Sequence, residues 1–355
     1  KACILSPEPG KFPCRTTSLP PPLCPTAEVP LAWPSVIRQR VRNDYPLLAV
    51  QEIGATSVRV PWTDIEDTLQ RERLQYLRAE GIAVQAFVPF DDALDLHHLL
   101  DHYPDCADRW EVQTAGEPMP DTTCLDLLAD CSRRTPLSLS TIVPGERIAD
   151  KQHPRTRLGF RLQELATLNE LLTDRELILD SALCRIDAED DPWTTVQRFR
   201  ALPPLSHIRR VDWLLTLTSR DDNAHARLAT EALFATALLP DAQLYVDPIL
   251  DLDRTMDIAH GVLDGLCNPR PIFHALRCLN TLLYTYRKAW VPEEREEKGV
   301  RILALRSEEH VLELLLPEEP VGWTSASQRI YDLAAGTVAV DTDKVLIAGP
   351  SLVYA

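Results

Sequence analysis

Two acidic residues, Glu117 and Asp180, lie near predicted strand ends and are the leading candidates for acid–base chemistry in this chain. Glu117 follows the run 109–114, and Asp180 lies within the run 176–182. The carboxyl ends of parallel barrel strands meet at one face, here called the barrel mouth, so two such carboxyl groups can share a site. One would act as a general acid and the other as a base or nucleophile. A helix cap or a solvated loop residue is the alternative for each.

The elements that must position these residues follow a regular order. Short β-branched and apolar runs alternate with helical patterns such as 69–80, 158–172 and 226–238, which is typical of a parallel α/β fold. We expect a weak first strand near residues 30–33. The seven further predicted strands are 57–62, 82–88, 109–114, 137–143, 176–182, 211–218 and 243–249. Eight strand–helix units in about 260 residues predict a (β/α)8 barrel.

The pattern changes near residue 300, where short strands separated by turn residues predict a small antiparallel β-sandwich. The acidic stretch before it is expected to be a linker. The predicted domains are an N-terminal arm (1–30), a (β/α)8 barrel (31–291), a linker (292–299) and a β-sandwich (300–355).

Composition excludes some classes of partner. The chain has 355 residues and a net charge of −16, which disfavours nucleic acid and anionic membranes because both would repel it. No apolar run reaches the ~18–20 residues that a membrane-spanning helix needs.

His98 and His102 share one helix face but offer only two strong metal ligands. We therefore expect no metal and no cofactor.

The N-terminal arm combines many prolines with Cys3, Cys14 and Cys24. A proline-rich segment forms neither a helix nor a central strand, so a disulfide among these cysteines would constrain it. We expect an extracytoplasmic location, whether periplasmic, luminal or secreted, because disulfides persist in oxidising compartments. Reduced, buried cysteines of a cytosolic protein are the alternative.

Several segments, taken in order, resemble one superfamily. Residues 54–66 read G-A-T-S-V-R-V-P-W-T-D-I-E, and residues 110–118 read W-E-V-Q-T-A-G-E-P. Residues 261–277 contain G-V-L-D, N-P-R-P and H-A-L-R. These segments resemble the retaining glycoside hydrolases, xylosidase- or cellulase-like, that carry a (β/α)8 barrel and a C-terminal β-sandwich. The resemblance covers residues 45–355 and implies a sugar cleft at the barrel mouth.

The resemblance breaks down at both catalytic positions. Retaining hydrolases use two carboxyl groups about 5–5.5 Å apart, one as acid/base and one as nucleophile. In an alignment without a gap, Thr114 stands where the family has an Asn, and Ala115 stands where it has the acid/base Glu. Leu217 on strand seven stands at the nucleophile position. The sequence therefore predicts a degenerate site, with Glu117 and Asp180 as the remaining candidate carboxylates.

Three tryptophans, Trp62, Trp110 and Trp213, lie at predicted strand ends, where they either stack on a glycan in the cleft or fill the barrel core. We expect a non-catalytic glycoside-hydrolase-like protein. It would act as a structural or interaction subunit, with a protein partner or a second copy docked through the arm, or as a glycan-binding module. The alternative is an active retaining glycoside hydrolase with relocated carboxylates, in which Glu117 is the acid/base.

Overall fold

The computed structural model describes residues 17–18, 26–30, 38–90, 96–144, 156–187, 190–239, 241–253, 258–285, 289–324, 329–340 and 344–354. The strands of its first part are β1 (Thr17–Ser18), β2 (Thr26–Pro30), β3 (Arg38–Arg42), β4 (Ser57–Pro61), β5 (Ala83–Pro89), β6 (Arg109–Ala115), β7 (Leu137–Pro144), β8 (Thr156–Leu158), β9 (Leu179–Ile186), β10 (Ile208–Thr216), β11 (Leu244–Asp247), β12 (Leu252–Asp253) and β13 (Ile258–Ala259). The helices are α1 (Tyr45–Glu52), α2 (Trp62–Glu66), α3 (Thr68–Ala79), α4 (Leu96–His102), α5 (Thr122–Cys131), α6 (Glu164–Asp174), α7 (Pro192–Arg200), α8 (Asp222–Thr236) and α9 (Pro271–Thr285).

Eight parallel strands form the predicted barrel, in the order β1-β4-β5-β6-β7-β9-β10-β11. The first strand, β1, pairs with β4 and lies beside β11, which closes the ring. The prediction of a first strand near residues 30–33 is wrong, because β2 forms a separate antiparallel hairpin with β3. The first thirty residues thus supply a barrel strand rather than only an arm. A two-residue strand among prolines has no periodic pattern by which to recognise it.

Side chains alternate between the lumen and the helical layer along each strand, as strand geometry requires. On β10, Leu214 faces the lumen, where it packs with Tyr245, and Trp213 faces the helices, where its ring meets Phe199 edge-on at 5.4 Å. Aspartate side chains cap the N-termini of several surrounding helices: Asp67 for α3, Asp121 for α5, Asp191 for α7 and Asp221 for α8.

The segment 156–160 enters the barrel wall between the upper halves of β7 and β9. Strand β8 pairs antiparallel with β7, and Phe160 bridges to Cys184 on β9. Gly159 turns the chain at φ +88°, and a Cβ there would lie 3.2 Å from the Leu183 carbonyl oxygen. Only glycine fits such a close approach at positive φ without strain. The turn places Leu158 against the lumen side chains of β9, β10 and β11.

The predicted antiparallel β-sandwich follows the barrel. Its strands are β14 (Val291–Glu297), β15 (Val300–Arg306), β16 (Val311–Pro317), β17 (Val321–Trp323), β18 (Arg329–Asp332), β19 (Thr337–Val340), β20 (Val345–Ile347) and β21 (Ser351–Tyr354). Six of them form one sheet in the order β14-β15-β16-β21-β18-β19, and β17 pairs with β20. The sandwich has a buried core of its own that includes Ile302, Trp323 and Ile347.

The predicted linker 292–299 is wrong, because β14 pairs with β15 along its whole length. Its acidic side chains lie on an exposed edge strand, where Arg301 and Arg306 form ion pairs with Glu294 and Glu293. Charged residues are usual on sheet edges because they discourage pairing with another chain. Within the residues described, no helix is long and apolar enough to cross a membrane.

Candidate site at the barrel mouth

A polar network fills the lumen below the mouth. Arg59 Nε and Nη2 donate to the two carboxylate oxygens of Glu111 at 2.6 and 2.7 Å, and both side chains are buried. Gln85, Gln113 and Ser140 donate to the same carboxylate. Burial alone would raise the pKa of Glu111, but the charge and hydrogen bonds of Arg59 outweigh burial and lower it. Glu111 is therefore an ionised carboxylate whose two oxygens both accept hydrogen bonds.

Asp180 lies at the opposite end of the barrel from the mouth. It is the second residue of β9, and its Oδ2 accepts from Arg109 Nε at 2.6 Å, where Arg109 is the first residue of β6. The prediction that Asp180 faces the mouth is wrong, because β9 begins at Leu179 and not at Glu176. Glu176 takes φ 52° in the turn after α6, and β9 starts three residues later than the pattern predicts. Asp180 and Glu117 are not brought together.

Strand four of the barrel, β6, ends at the mouth without a carboxylate. Glu111, Gln113 and Ala115 occupy alternate positions on its lumen face, and Ala115 is exposed at the end of the strand. Thr114 points away from the lumen and is buried, and its hydroxyl donates to the Ser140 carbonyl oxygen at 3.3 Å. Ala115 thus stands at the lumen-facing end of this strand, as the sequence alignment implied.

Strand seven, β10, also ends without a carboxylate, but at a different residue from the one expected. Leu217 is 2% exposed and belongs to the main core, and its N–H donates to the Asp247 carbonyl oxygen at 2.7 Å. The lumen face of the strand carries Leu214 and then the half-buried Thr216. Thr216, not Leu217, therefore faces the mouth.

Glu117 lies in the loop just beyond Ala115, and its side chain is exposed. Gly116 turns the chain at φ +93°, and the Thr141 hydroxyl donates to the Glu117 carbonyl oxygen at 3.0 Å. The loop backbone is therefore anchored, while the carboxylate projects into solvent. Two other carboxylates lie near the mouth: Asp247, which is buried at the end of β11, and Asp187, which forms an ion pair with Arg185.

The three tryptophans do not share one role. Trp110 and Trp213 are fully buried in the layer between barrel and helices, which is the core alternative of the two roles considered for them. Both side chains face the helices. A shift of the strand by one residue would turn them to the lumen face instead. Trp62 is the first residue of α2, directly after β4, and it is half-buried at the mouth. Of the three, Trp62 alone is placed to contact a ligand there.

A serine–histidine contact at the mouth was not predicted from the sequence. Ser219 Oγ lies 3.1 Å from His225 Nε2, although six residues separate them along the chain. The sequence signal for this contact was a strand end followed by Asp221, which caps α8. A capped helix start brings the first turn of the helix close to the loop before it.

The described part of the chain contains six cysteines, and none of them forms a disulfide: Cys106, Cys124, Cys131, Cys184, Cys267 and Cys278. Cys3, Cys14 and Cys24 lie outside the described residues. No group of three or more His, Cys, Asp or Glu residues is arranged to hold a metal ion within the described ranges.

Comparison with solved structures identifies the architecture. A family 39 glycoside hydrolase from the gut symbiont Bacteroides cellulosilyticus WH2 superposes with a TM-score of 0.60 at 12% identity, over 93% of this chain and 87% of that chain. A family 30 endoxylanase from Clostridium papyrosolvens C71 superposes with a TM-score of 0.48 at 10% identity, over 98% of this chain and 97% of that chain. No family model and no curated protein matches the sequence. The family 39 likeness confirms, at the level of the fold, the predicted resemblance to glycoside hydrolases built from a (β/α)8 barrel and a β-sandwich.

Proposed function

We propose that this chain is a glycoside-hydrolase-like protein that does not cleave glycosidic bonds and instead holds a glycan at the barrel mouth. The observation that carries this proposal is the pair of lumen-facing residues at the ends of strands four and seven, Ala115 and Thr216. Retaining hydrolysis needs two carboxyl groups about 5–5.5 Å apart. A methyl group and a neutral hydroxyl can supply neither the general acid nor the glycosyl ester.

The lumen below the mouth offers no replacement for the missing pair. Leu158 packs on Leu183, Leu214 and Tyr245, three fully buried side chains on the adjacent strands β9, β10 and β11. Glu111 is buried and satisfied by its own hydrogen bonds. A saccharide entering the mouth would therefore find Asp247, buried at the end of β11, and Asp187, paired with Arg185, as the carboxylates nearest the strand ends.

Glycan binding is the finer part of the proposal, and Trp62 is the residue that supports it. A half-buried indole at the mouth offers a flat face for a sugar ring. We expect Trp62→Ala to weaken glycan binding by about 1–2 kcal/mol, which is about tenfold in Kd. Trp62→Phe should retain most of the affinity.

A glycan array followed by calorimetry on the best ligand measures this effect. Tyr76→Ala is the matched control, because Tyr76 is 49% exposed on α3, on the outer side of the barrel. Equal affinity of wild type and Trp62→Ala would exclude the mouth as the glycan site. A folded protein that binds no glycan at all would contradict the glycan-binding form of the proposal and favour the structural role described next.

The second form of the proposal is a structural or interaction subunit, in which the part of the N-terminal arm before β1, residues 1–16, docks on a partner protein or a second copy outside the cytoplasm. Its support is compositional: the prolines and cysteines of this segment, and a net charge of −16 that disfavours nucleic acid. Purification as a tight complex that is lost on removal of residues 1–16 would favour it. A monomer at micromolar concentration would count against it.

The alternative function is an active retaining hydrolase with Glu117 as the acid/base. The observation in its favour is that Glu117 is exposed at the mouth, two residues beyond Ala115. This alternative predicts that Glu117→Gln abolishes the turnover of an aryl glycoside. Glu80→Gln, a change at an exposed residue that ends α3, should leave that turnover intact.

A further inference from the structure

Ser219 and His225 lie together at the mouth, where strand seven (β10) ends and α8 begins. Ser219 is exposed in the loop after β10, and His225 is 4% exposed in the first turn of α8. The Oγ–Nε2 distance is 3.1 Å. From this geometry we propose that Ser219 and His225 form a nucleophile–base pair that cleaves carboxylic esters at the barrel mouth.

The hydrogen bonds around the pair determine the position of each proton. The Ser219 backbone N–H donates to His225 Nε2 at 3.2 Å, so Nε2 carries a lone pair and the neutral ring carries its proton on Nδ1. The Asp221 N–H donates to Ser219 Oγ at 3.1 Å, and the Ser219 hydroxyl lies within hydrogen-bond distance of Nε2, whose lone pair it shares with the Ser219 N–H. A serine hydroxyl aimed at an unprotonated imidazole nitrogen is the arrangement of an activated nucleophile.

The surroundings of His225 suit a general base. Burial lowers its pKa below the ordinary value of 6.5, so the ring is neutral at pH 7. Asp222 and Asp221 act in the opposite direction and favour the imidazolium that forms when a proton arrives, whereas His260 and Arg270 oppose it. Within the described residues, Nδ1 is buried and has no hydrogen-bond partner. The ring is therefore held by its packing and by Ser219, whose backbone N–H and hydroxyl share Nε2.

A second serine–histidine contact shows what sets this pair apart. Ser206 Oγ lies 2.9 Å from His207 Nδ1 in the loop before β10, at the opposite end of the barrel. The Thr173 hydroxyl approaches the same nitrogen at 2.9 Å, and His207 is not buried. A serine–histidine contact alone is therefore not a reactive site. Ser206 serves as the matched control for Ser219.

The proposed reaction balances with water as the only co-reactant. Ser219 Oγ attacks the ester carbonyl carbon while its proton passes to His225 Nε2. The C–O bond to the alcohol then breaks, and the alcohol leaves with the proton from Nε2. Water attacks the acyl-serine, gives its proton to Nε2, and releases the carboxylic acid as Ser219 Oγ recovers a proton. No electrons are transferred, and no cofactor takes part.

The test measures nitrophenolate release from p-nitrophenyl acetate, together with peptide mapping after treatment with an alkyl fluorophosphonate. We expect the label on Ser219 and the loss of both signals in Ser219→Ala. Ser206→Ala should retain both signals, and His225→Gln should lower both rates by about 100-fold or more. The labelling rate of wild type should fall only below pH 6.5, because burial lowers the pKa of His225.

Two results would overturn this proposal. One is an unlabelled Ser219 in protein that circular dichroism shows to be folded. The other is ester cleavage that Ser219→Ala and Ser206→Ala reduce to the same extent. Because neither readout involves a sugar, both are independent of glycan binding at the mouth.

Discussion

At the scale of single residues, the Arg59–Glu111 pair shows how the barrel keeps a carboxylate without using it for chemistry. The pair lies in the lumen, and the side chains are 3% and 0% exposed. Burying two charges is costly, and direct pairing with additional hydrogen bonds offsets that cost. Gln85 and Ser140 supply such bonds to Glu111. The pair therefore organises the lumen and does not serve the mouth.

We predict that Glu111→Gln lowers the free energy of unfolding by about 3–5 kcal/mol, because Arg59 is left buried without its counter-charge. Urea denaturation at pH 7 measures this change. The control is Glu52→Gln, which removes the partner of Arg277 from an exposed ion pair and should cost under about 1 kcal/mol. Equal costs for both variants would contradict a structural role for the buried pair.

The sequence predicts well which residue types follow one another at a strand end. It predicts poorly which face of the strand each side chain occupies. That Ala115 replaces the acid/base stays a prediction, and the alternation of side chains along β6 puts Ala115 on the lumen face at the strand end. Leu217 was predicted at the nucleophile position but lies in the core, and Trp110 and Trp213, for which cleft and core were both open, also lie in the core. A shift of one residue reverses the face of every side chain in a strand, and sequence patterns rarely define strands that closely.

At the scale of elements, one arginine joins the sandwich to the barrel. Arg301 on β15 contacts Asp191, the cap of α7, at 2.5 Å, and Glu231 on α8 at 3.0 Å. It also contacts Glu294 on β14 at 2.7 Å. Glu231 is 5% exposed, and burial, together with Asp191, raises its pKa to about 7 despite Arg301. Three carboxylates therefore share one guanidinium at this interface.

We predict that Glu231 makes stability depend on pH. A carboxyl group whose pKa is raised on folding contributes stability that is present at low pH and is lost as pH rises through the folded value, here between 4.5 and about 7. Glu231→Gln should remove this dependence and gain on the order of 1–2 kcal/mol over wild type at pH 8. The difference in melting temperature between the two proteins, followed from pH 5 to pH 8, measures the effect.

The control for this prediction is Glu313→Gln, which removes a partner of Arg295 within the sandwich. Its difference in melting temperature from wild type should stay constant over the same pH range. A constant difference for Glu231→Gln as well would contradict the role of Glu231 at the interface.

Most elements could be predicted from periodicity, but their ends could not. Strand β9 begins at Leu179 and ends at Ile186, whereas the pattern predicted 176–182, and this shift moved Asp180 from the mouth to the barrel bottom. The acidic composition of 292–299 suggested a linker because charged residues are common in both loops and edge strands. The backbone pairing that distinguishes the two is non-local, so no window of sequence contains it.

At the scale of the whole molecule, the alternation of strands and helices, followed by short strands alone, was sufficient to predict a barrel and a sandwich. The two-residue strand β1 closes the ring and has no pattern of its own. The family 39 likeness concerns the fold, whereas the proposed loss of hydrolysis depends on Ala115 and Thr216 within that fold. A shared fold is compatible with the proposed difference in function, because function depends on the site rather than on the fold.

We predict that the mouth holds no carboxylate able to form a glycosyl-enzyme. The most direct measurement is the intact mass of the protein after incubation with 2-deoxy-2-fluoro glycosyl fluorides of several sugar configurations. These reagents carry a good leaving group, so the result does not depend on an acid/base residue such as Glu117. An active family 39 glycoside hydrolase treated in the same way is the positive control. We predict an unchanged mass for this protein; a covalent adduct mapped to Asp187 or Asp247 would contradict the account.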